Sequence, residues 1–165
     1  TAATTAATTA AAAASAQAEG IVKNPGFETG DTTGWSWFWG ASGNPTVISQ
    51  NQRTGNYCAY VSTPTSGFGQ WVEVEPGATY VLTAYLNIKG TDNKIDFGAS
   101  KPDTNDQGKS PLKYETLGPT DGYKQFQVEF TVPDDVVSVE VWVWKGDDYP
   151  KGDIYVDDFD VSLKQ

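Results

Sequence analysis

A chain of 165 residues is long enough for one domain with a sizeable core, and its formal charge of −10 argues against nucleic-acid backbones and anionic membranes as partners, since both need a positive field. It has no histidine and a single cysteine, Cys58, which leaves little room for zinc sites or histidine-based catalysis and excludes an intrachain disulfide framework. Aromatic residues make up 13% of the chain while mean hydropathy is −0.44, so some aromatic side chains are expected at the surface.

In chain order, residues 1–20 (TAATTAATTAAAAASAQAEG) are of low complexity and contain nothing that builds a core; they read as a linker or tail. The Ala-Ser-Ala-Gln-Ala run inside them resembles the small-residue end of a secretory signal, which points to a secreted or cell-surface protein. The folded domain is expected over 21–165. It opens with turn chemistry at Asn24-Pro25-Gly26, followed by Phe27-Glu28 and then Trp35, Trp37 and Trp39 at a spacing of two. If extended, that segment places all three indoles on one face. Strands are predicted at about Thr46–Ser49, Tyr57–Ser62, Gly69–Glu75, Thr79–Ile88, Lys94–Ser100, Lys124–Val132, Ser138–Lys145 and Asp153–Ser162. Residues 101–120 read as a long loop forming one wall of a groove. Cys58 lies in a strand-like run and reads as a buried small hydrophobe. Short strands punctuated by turns predict an all-β protein, a β-sandwich of jelly-roll type with about eight to ten antiparallel strands.

Phase within the strands is informative, because successive side chains point to opposite faces. Val139, Val141 and Val143 form a core face, leaving Glu140, Trp142 and Trp144 on the other. Tyr80, Leu82, Ala84 and Leu86 oppose Tyr85 and Asn87, and Phe126, Val128 and Phe130 oppose Gln125 and Gln127. Placed in one sheet, these strands collect Tyr85, Asn87, Gln125, Gln127, Glu140, Trp142 and Trp144 into an aromatic floor rimmed by amides and carboxylates. Such a floor suits a pyranose ring, whose C–H face stacks on indole while amides and carboxylates meet its hydroxyls. Single-stranded nucleic acid also stacks on aromatics but needs a cationic groove. Glycoside hydrolysis needs two carboxylates flanking the scissile bond. Glu129 and Glu140 are candidates for such a pair, but the chain shows no clustered acidic motif along one strand and no nucleophile–base pair. Glu28 near the start and Asp157-Asp158 near the end form an oxygen-rich set that suits Ca2+ if the fold joins the two ends; by spacing alone, a solvated strand end is the plainer reading.

The ordered series Asn24-Pro25-Gly26-Phe27-Glu28, Gly34-Trp35, Arg53-Thr54-Gly55-Asn56-Tyr57, Pro76-Gly77-Ala78-Thr79-Tyr80 and Ile154-Tyr155-Val156-Asp157-Asp158-Phe159 resembles carbohydrate-binding modules of the family 4/9, 16 and 22 type, with family 16 favoured. The resemblance implies a structural Ca2+ between the first and last strands, with Glu28 and Asp157 as side-chain ligands. It also implies a cleft with Trp37 and Trp142 as stacking residues and Trp144 beside them. Trp35 falls at a position that is structural in this group, whereas Trp39 and Trp71 have no clear counterpart. The expected function is non-catalytic binding of a neutral β-linked polysaccharide of glucan or mannan type, by a monomeric module of a larger chain that directs a linked secreted glycanase to its substrate. Trp37, Tyr85, Trp142 and Trp144 would stack; Asn87, Gln125, Gln127 and Glu140 would hydrogen-bond. The alternative is a structural or adhesive cell-surface sandwich that binds protein.

Overall fold

The computed structural model describes residues 20–103 and 109–165; residues 1–19 of the expected tail and residues 104–108 of the expected loop lie outside the described residues. Ten strands are described: β1 (Trp37–Gly40), β2 (Thr46–Ile48), β3 (Cys58–Val61), β4 (Ser66–Glu73), β5 (Thr79–Ile88), β6 (Ile95–Pro102), β7 (Lys109–Leu117), β8 (Lys124–Thr131), β9 (Ser138–Lys145) and β10 (Ile154–Leu163). They make two antiparallel sheets, one in the order β1-β4-β9-β6-β7 and the other in the order β2-β3-β10-β5-β8. The chain is an all-β sandwich.

Alternation explains the core. Val139, Val141 and Val143 of β9 are fully buried, as are Leu82, Ala84, Leu86 and Ile88 of β5, and the two rows belong to the facing inner surfaces of the sheets. Phe27 and Trp35, which precede β1, fill one part of this core. Their rings stack at 5.1 Å, and both meet Phe68 and Phe159 edge-on. The Trp35 indole N–H donates to the Asn24 carbonyl at 3.1 Å. Trp35 therefore turns inward before the strand starts, and only Trp37 and Trp39 share the outer face. In β10 the register slips by one residue between Asp157 and Asp160, and Asp158 at the slip has φ 51°. Such a bulge restores phase, so Ile154, Val156, Phe159 and Val161 all remain core residues.

Two expectations are corrected by this topology. β5 and β8 do pair with each other, but β5 also pairs with β10, and both belong to the sheet opposite β9. Tyr85, Asn87, Gln125 and Gln127 therefore lie on the other outer surface of the sandwich from Glu140, Trp142 and Trp144. Alternation specifies which side of a strand meets the core and is silent about which sheet the strand joins. Part of the expected loop is in fact an edge strand, β7, carrying Pro111 where the register with β6 slips between Ala99 and Ser100. Proline is tolerated at an edge or a bulge because its missing N–H is not needed by a further strand.

Lys145 ends β9 on the core side and is fully buried, its ammonium donating to Asn93 Oδ1 and to the Lys94 carbonyl at 3.2 Å. Burial pulls this ammonium down to about 8 from 10.5. Between those values the unfolded chain holds the proton more tightly than the fold does, so this group's contribution to stability rises with pH across that window. Wild-type unfolding free energy, measured by urea denaturation, should gain up to about 3 kcal/mol on Lys145→Met between pH 8 and pH 10.5. Parallel pH profiles for the two proteins would remove the assignment.

Candidate functional site

The outer face of the β1-β4-β9-β6-β7 sheet is organised in rows set by strand register. One row runs Trp39, Gly67, Trp144, Asp96, Thr116 across all five strands. The next runs Trp37, Gly69, Trp142, Gly98, Tyr114. A third places Trp71 opposite Glu140, with Ser100 beyond it. In the first two rows a glycine separates two tryptophans, and that spacing lets the rings lie down. A Cβ on Gly69 would stand 2.9 Å from Trp37 Nε1, and one on Gly67 would stand 2.9 Å from Trp144 Cε3. Substituting Gly69 would drive the Trp37 indole off the sheet, and a Cβ on Gly67 would also stand 2.2 Å from the Val143 carbonyl oxygen, so a side chain there meets the β9 backbone as well as an indole.

The resulting groove has a volume of about 530 Å3 and is lined by Trp37, Trp39, Ser100, Lys109, Glu140, Trp142 and Trp144. Trp39 and Trp144 lie with ring planes 7° apart and centroids 6.1 Å apart, and Trp37 tilts toward Trp144 at 6.3 Å. Tyr114 flanks Trp142 at 5.9 Å. Trp39 is 51% exposed, an unusual degree for an indole with no structural task, while Trp37, Trp142 and Trp144 are half-buried.

Polar groups hold these rings in place. Trp142 Nε1 donates to Ser100 Oγ at 2.8 Å, and Trp37 Nε1 donates to Glu140 Oε1. Lys109 Nζ donates to Glu140 Oε1 at 2.8 Å, lies 2.6 Å from Oε2, and stands 4.5 Å from the centre of the Trp37 ring. The Glu140 side chain is 1% exposed, so it is a floor group that orients Trp37 and Lys109 rather than the exposed hydrogen-bonding group expected. Expected stacking residues Trp37, Trp142 and Trp144 are brought together; Tyr85, Asn87, Gln125 and Gln127 are not. Tyr85 is covered by the Arg53 guanidinium, 3.4 Å from its ring centre. Glu129, the other half of the considered hydrolytic pair, is on β8 in the far sheet and pairs with Lys164 at 2.8 Å. Ser100, Lys109 and Tyr114 were missed. For Ser100 the usable signal was its phase with Gly98 and Asp96; Lys109 and Tyr114 fell inside the segment read as loop.

At the other expected site, Phe159 N–H donates to the Pro25 carbonyl at 3.0 Å, joining the opening segment to β10. A loop from Arg53 to Tyr57 closes over the junction. Backbone N–H groups of Arg53 and Thr54 donate to Asp157 Oδ2 at 2.8 and 3.2 Å, and those of Asn56 and Tyr57 donate to Glu28 at 2.9–3.1 Å. Asp157 is fully buried, and that burial pushes its carboxyl up to about 6. Arg53 pairs with Asp158 at 2.7 Å. A Cβ on Gly26 would lie 3.6 Å from Asp157 Oδ1, 3.4 Å from Asp158 Oδ1 and 3.7 Å from Glu28 Cγ, so the bare glycine faces all three acidic side chains. Their donors are all oxygen, and the charge of three carboxylates exceeds that of the single guanidinium, as a hard cation requires. Among the described residues no three acidic, histidine or cysteine side chains form a cage by themselves, so backbone carbonyls would have to complete a coordination shell.

The sequence model of the CBM_4_9 family, described as a carbohydrate binding domain, matches residues 19–151. This chain belongs to that family of carbohydrate-binding modules. Its members are non-catalytic binding modules. Solved structures with the same fold include a family 16 carbohydrate-binding module, 23% identical over 86% of this chain and 99% of that one, with a TM-score of 0.68. A family 61 module in complex with β-1,4-galactotriose is 18% identical over 89% of this chain and 100% of that one, TM-score 0.64. A Clostridium thermocellum xylanase with joined family 22 and family 10 hydrolase modules, complexed with xylohexaose, is 15% identical over 87% of this chain and 28% of that one, TM-score 0.64. A search of curated proteins returns no match.

Removing the Glu140 carboxylate leaves the Trp37 N–H and the Lys109 ammonium without their shared acceptor. Glu140→Ala is expected to lower the module's stability by about 1–3 kcal/mol in urea denaturation and to change its near-ultraviolet circular dichroism. A loss within about 0.5 kcal/mol with an unchanged tryptophan signal would show that the rings hold their positions without it.

Proposed function

We propose that the module binds a neutral β-linked polysaccharide of glucan or mannan type in the groove of the β1-β4-β9-β6-β7 sheet. The observation that carries this reading is the pair of rows in which glycine separates two flat indoles, presenting Trp39 and Trp144, then Trp37 and Trp142, to solvent. Flat indole faces suit the C–H faces of successive pyranose rings. Charge supports a neutral ligand, because the two ionised groups lining the groove, Lys109 and Glu140, neutralise each other. Relatives in complex with galactotriose and xylohexaose agree with an oligosaccharide as the occupant. In a secreted or cell-surface chain such a monomeric module keeps a linked glycanase close to its polymer by raising its effective concentration. Trp144→Ala and Trp142→Ala should each remove most retention in affinity electrophoresis through glucomannan, while Tyr85→Ala, on the far face, should leave it unchanged. Equal mobility of wild type and both tryptophan variants would rule out the groove.

We also propose that Glu28 and Asp157 hold a structural Ca2+ with backbone carbonyls. When bound, that ion would supply the positive charge that the buried Asp157 lacks. A ligand bound to the native state alone stabilises it by about 2.7 kcal/mol at a hundredfold excess over Kd. Chelation should therefore lower the melting temperature by several degrees, with recovery on adding Ca2+; an unmoved transition in both steps counts against the ion.

A further inference from the structure

Polar groups of Ser100, Glu140, Trp37 and Trp142 in the groove are spent on one another. Ser100 accepts from Trp142, and Glu140 accepts from Trp37 and Lys109. A surface that only stacks would accept pyranose rings with little regard to their hydroxyl pattern. Asp96, in the row of Trp39 and Trp144, keeps a polar atom outside that network. Asp96 of β6 stands directly across from Trp144 of β9 on the outer face. Its Oδ1 accepts two hydrogen bonds, from Thr116 Oγ1 at 2.7 Å and from the Tyr149 hydroxyl at 2.8 Å. Its Oδ2 takes no hydrogen bond among the described residues and is not among their buried unsatisfied atoms, so it keeps some access to solvent. The half-buried carboxylate is thus held through one oxygen while the other takes no hydrogen bond among the described residues.

Resting on the groove reading above, we propose that Asp96, which adjoins the groove across the sheet from Trp144, is a specificity-determining residue for its ligand. The Asp96 Oδ2 accepts a hydrogen bond from a ring hydroxyl of the sugar stacked on Trp144. The two donors to Oδ1 restrain the carboxylate, which limits the directions its other oxygen can take. The class of ligand this selects is a neutral pyranose chain that turns a hydroxyl toward the β6 side of Trp144. A ring with no hydroxyl there leaves the carboxylate desolvated beside it without a donor.

Asp96→Asn separates the inner role from the outer one, because an amide oxygen still accepts from Thr116 and Tyr149 while the outward atom becomes a donor. Calorimetric titrations of the full chain with cellohexaose and mannohexaose should show about tenfold weaker binding for Asp96→Asn, with the melting temperature within about 2 °C of wild type. Monodeoxy versions of the hexaose that binds should include one position that weakens wild type about tenfold and leaves Asp96→Asn unaffected. If wild type binds but no monodeoxy position costs it affinity, the inference falls whatever the variant does. If Trp144→Ala loses binding while Asp96→Asn matches wild type, the inference also falls and the groove stands. A wild type that binds neither hexaose nor glucomannan overturns both.

Discussion

The close approach of indole to backbone at Gly67 and Gly69 governs the outer face of the first sheet. Cross-strand neighbours on one face of a sheet have Cβ atoms only about 5 Å apart, too close for three large side chains in a row to lie flat. Glycine between two tryptophans removes the middle side chain, and the rings on either side fold into the vacated strip. Everything else in the groove follows from that posture. Because Trp37 lies down over Gly69, its N–H reaches Glu140; because Glu140 is then covered, its charge requires Lys109; and Lys109, in reaching the carboxylate, stands over the Trp37 ring. Glycine weakens a strand, and β4 carries two of them at the groove. Its inward residues Phe68 and Val72, and the bonding of Gln70 to the Lys23 backbone at 2.7 and 2.9 Å, offset that weakness from the other side.

One register serves both faces. The pairing that puts Gly67 beside Trp144 also puts Phe68 beside Val143 and Val72 beside Val139, so a slip of one residue would expose the valines and bury the indoles at once. The core thus protects the groove: a one-residue slip that misplaces the tryptophans also sacrifices the inward apolar rows. Bulges in β10 and between β6 and β7 perform the complementary task, absorbing one extra residue so that phase is regained.

Legibility in the sequence followed the same physics. Strands with one clean apolar face, such as β5 and β9, were readable nearly to the residue because alternation reports burial directly. β7 was unreadable, since an edge strand with both faces largely wet has neither alternation nor an apolar run, and Pro111 argued against it. Which sheet each strand joins depends on long-range pairing that no local pattern encodes, and this is why Tyr85, Asn87, Gln125 and Gln127 were grouped with a face they do not share. Trp142 and Trp144 stood out as large apolar residues in the wrong phase. Gly67, Gly69 and Gly98 carried an equally strong signal, three glycines in the outward phase of interior strands, and its meaning appears only once the tryptophans are placed across from them.

The distribution of the six tryptophans has an optical consequence. Trp35 is packed in the core, 8% exposed, whereas Trp37, Trp39, Trp71, Trp142 and Trp144 all project from the same outer face. Intrinsic fluorescence of this protein is therefore dominated by one surface, and the parallel Trp39 and Trp144 rings are close enough for their electronic transitions to couple. The fold carries its own chromophores where an occupant would lie, and a single buried indole remains to report on the interior.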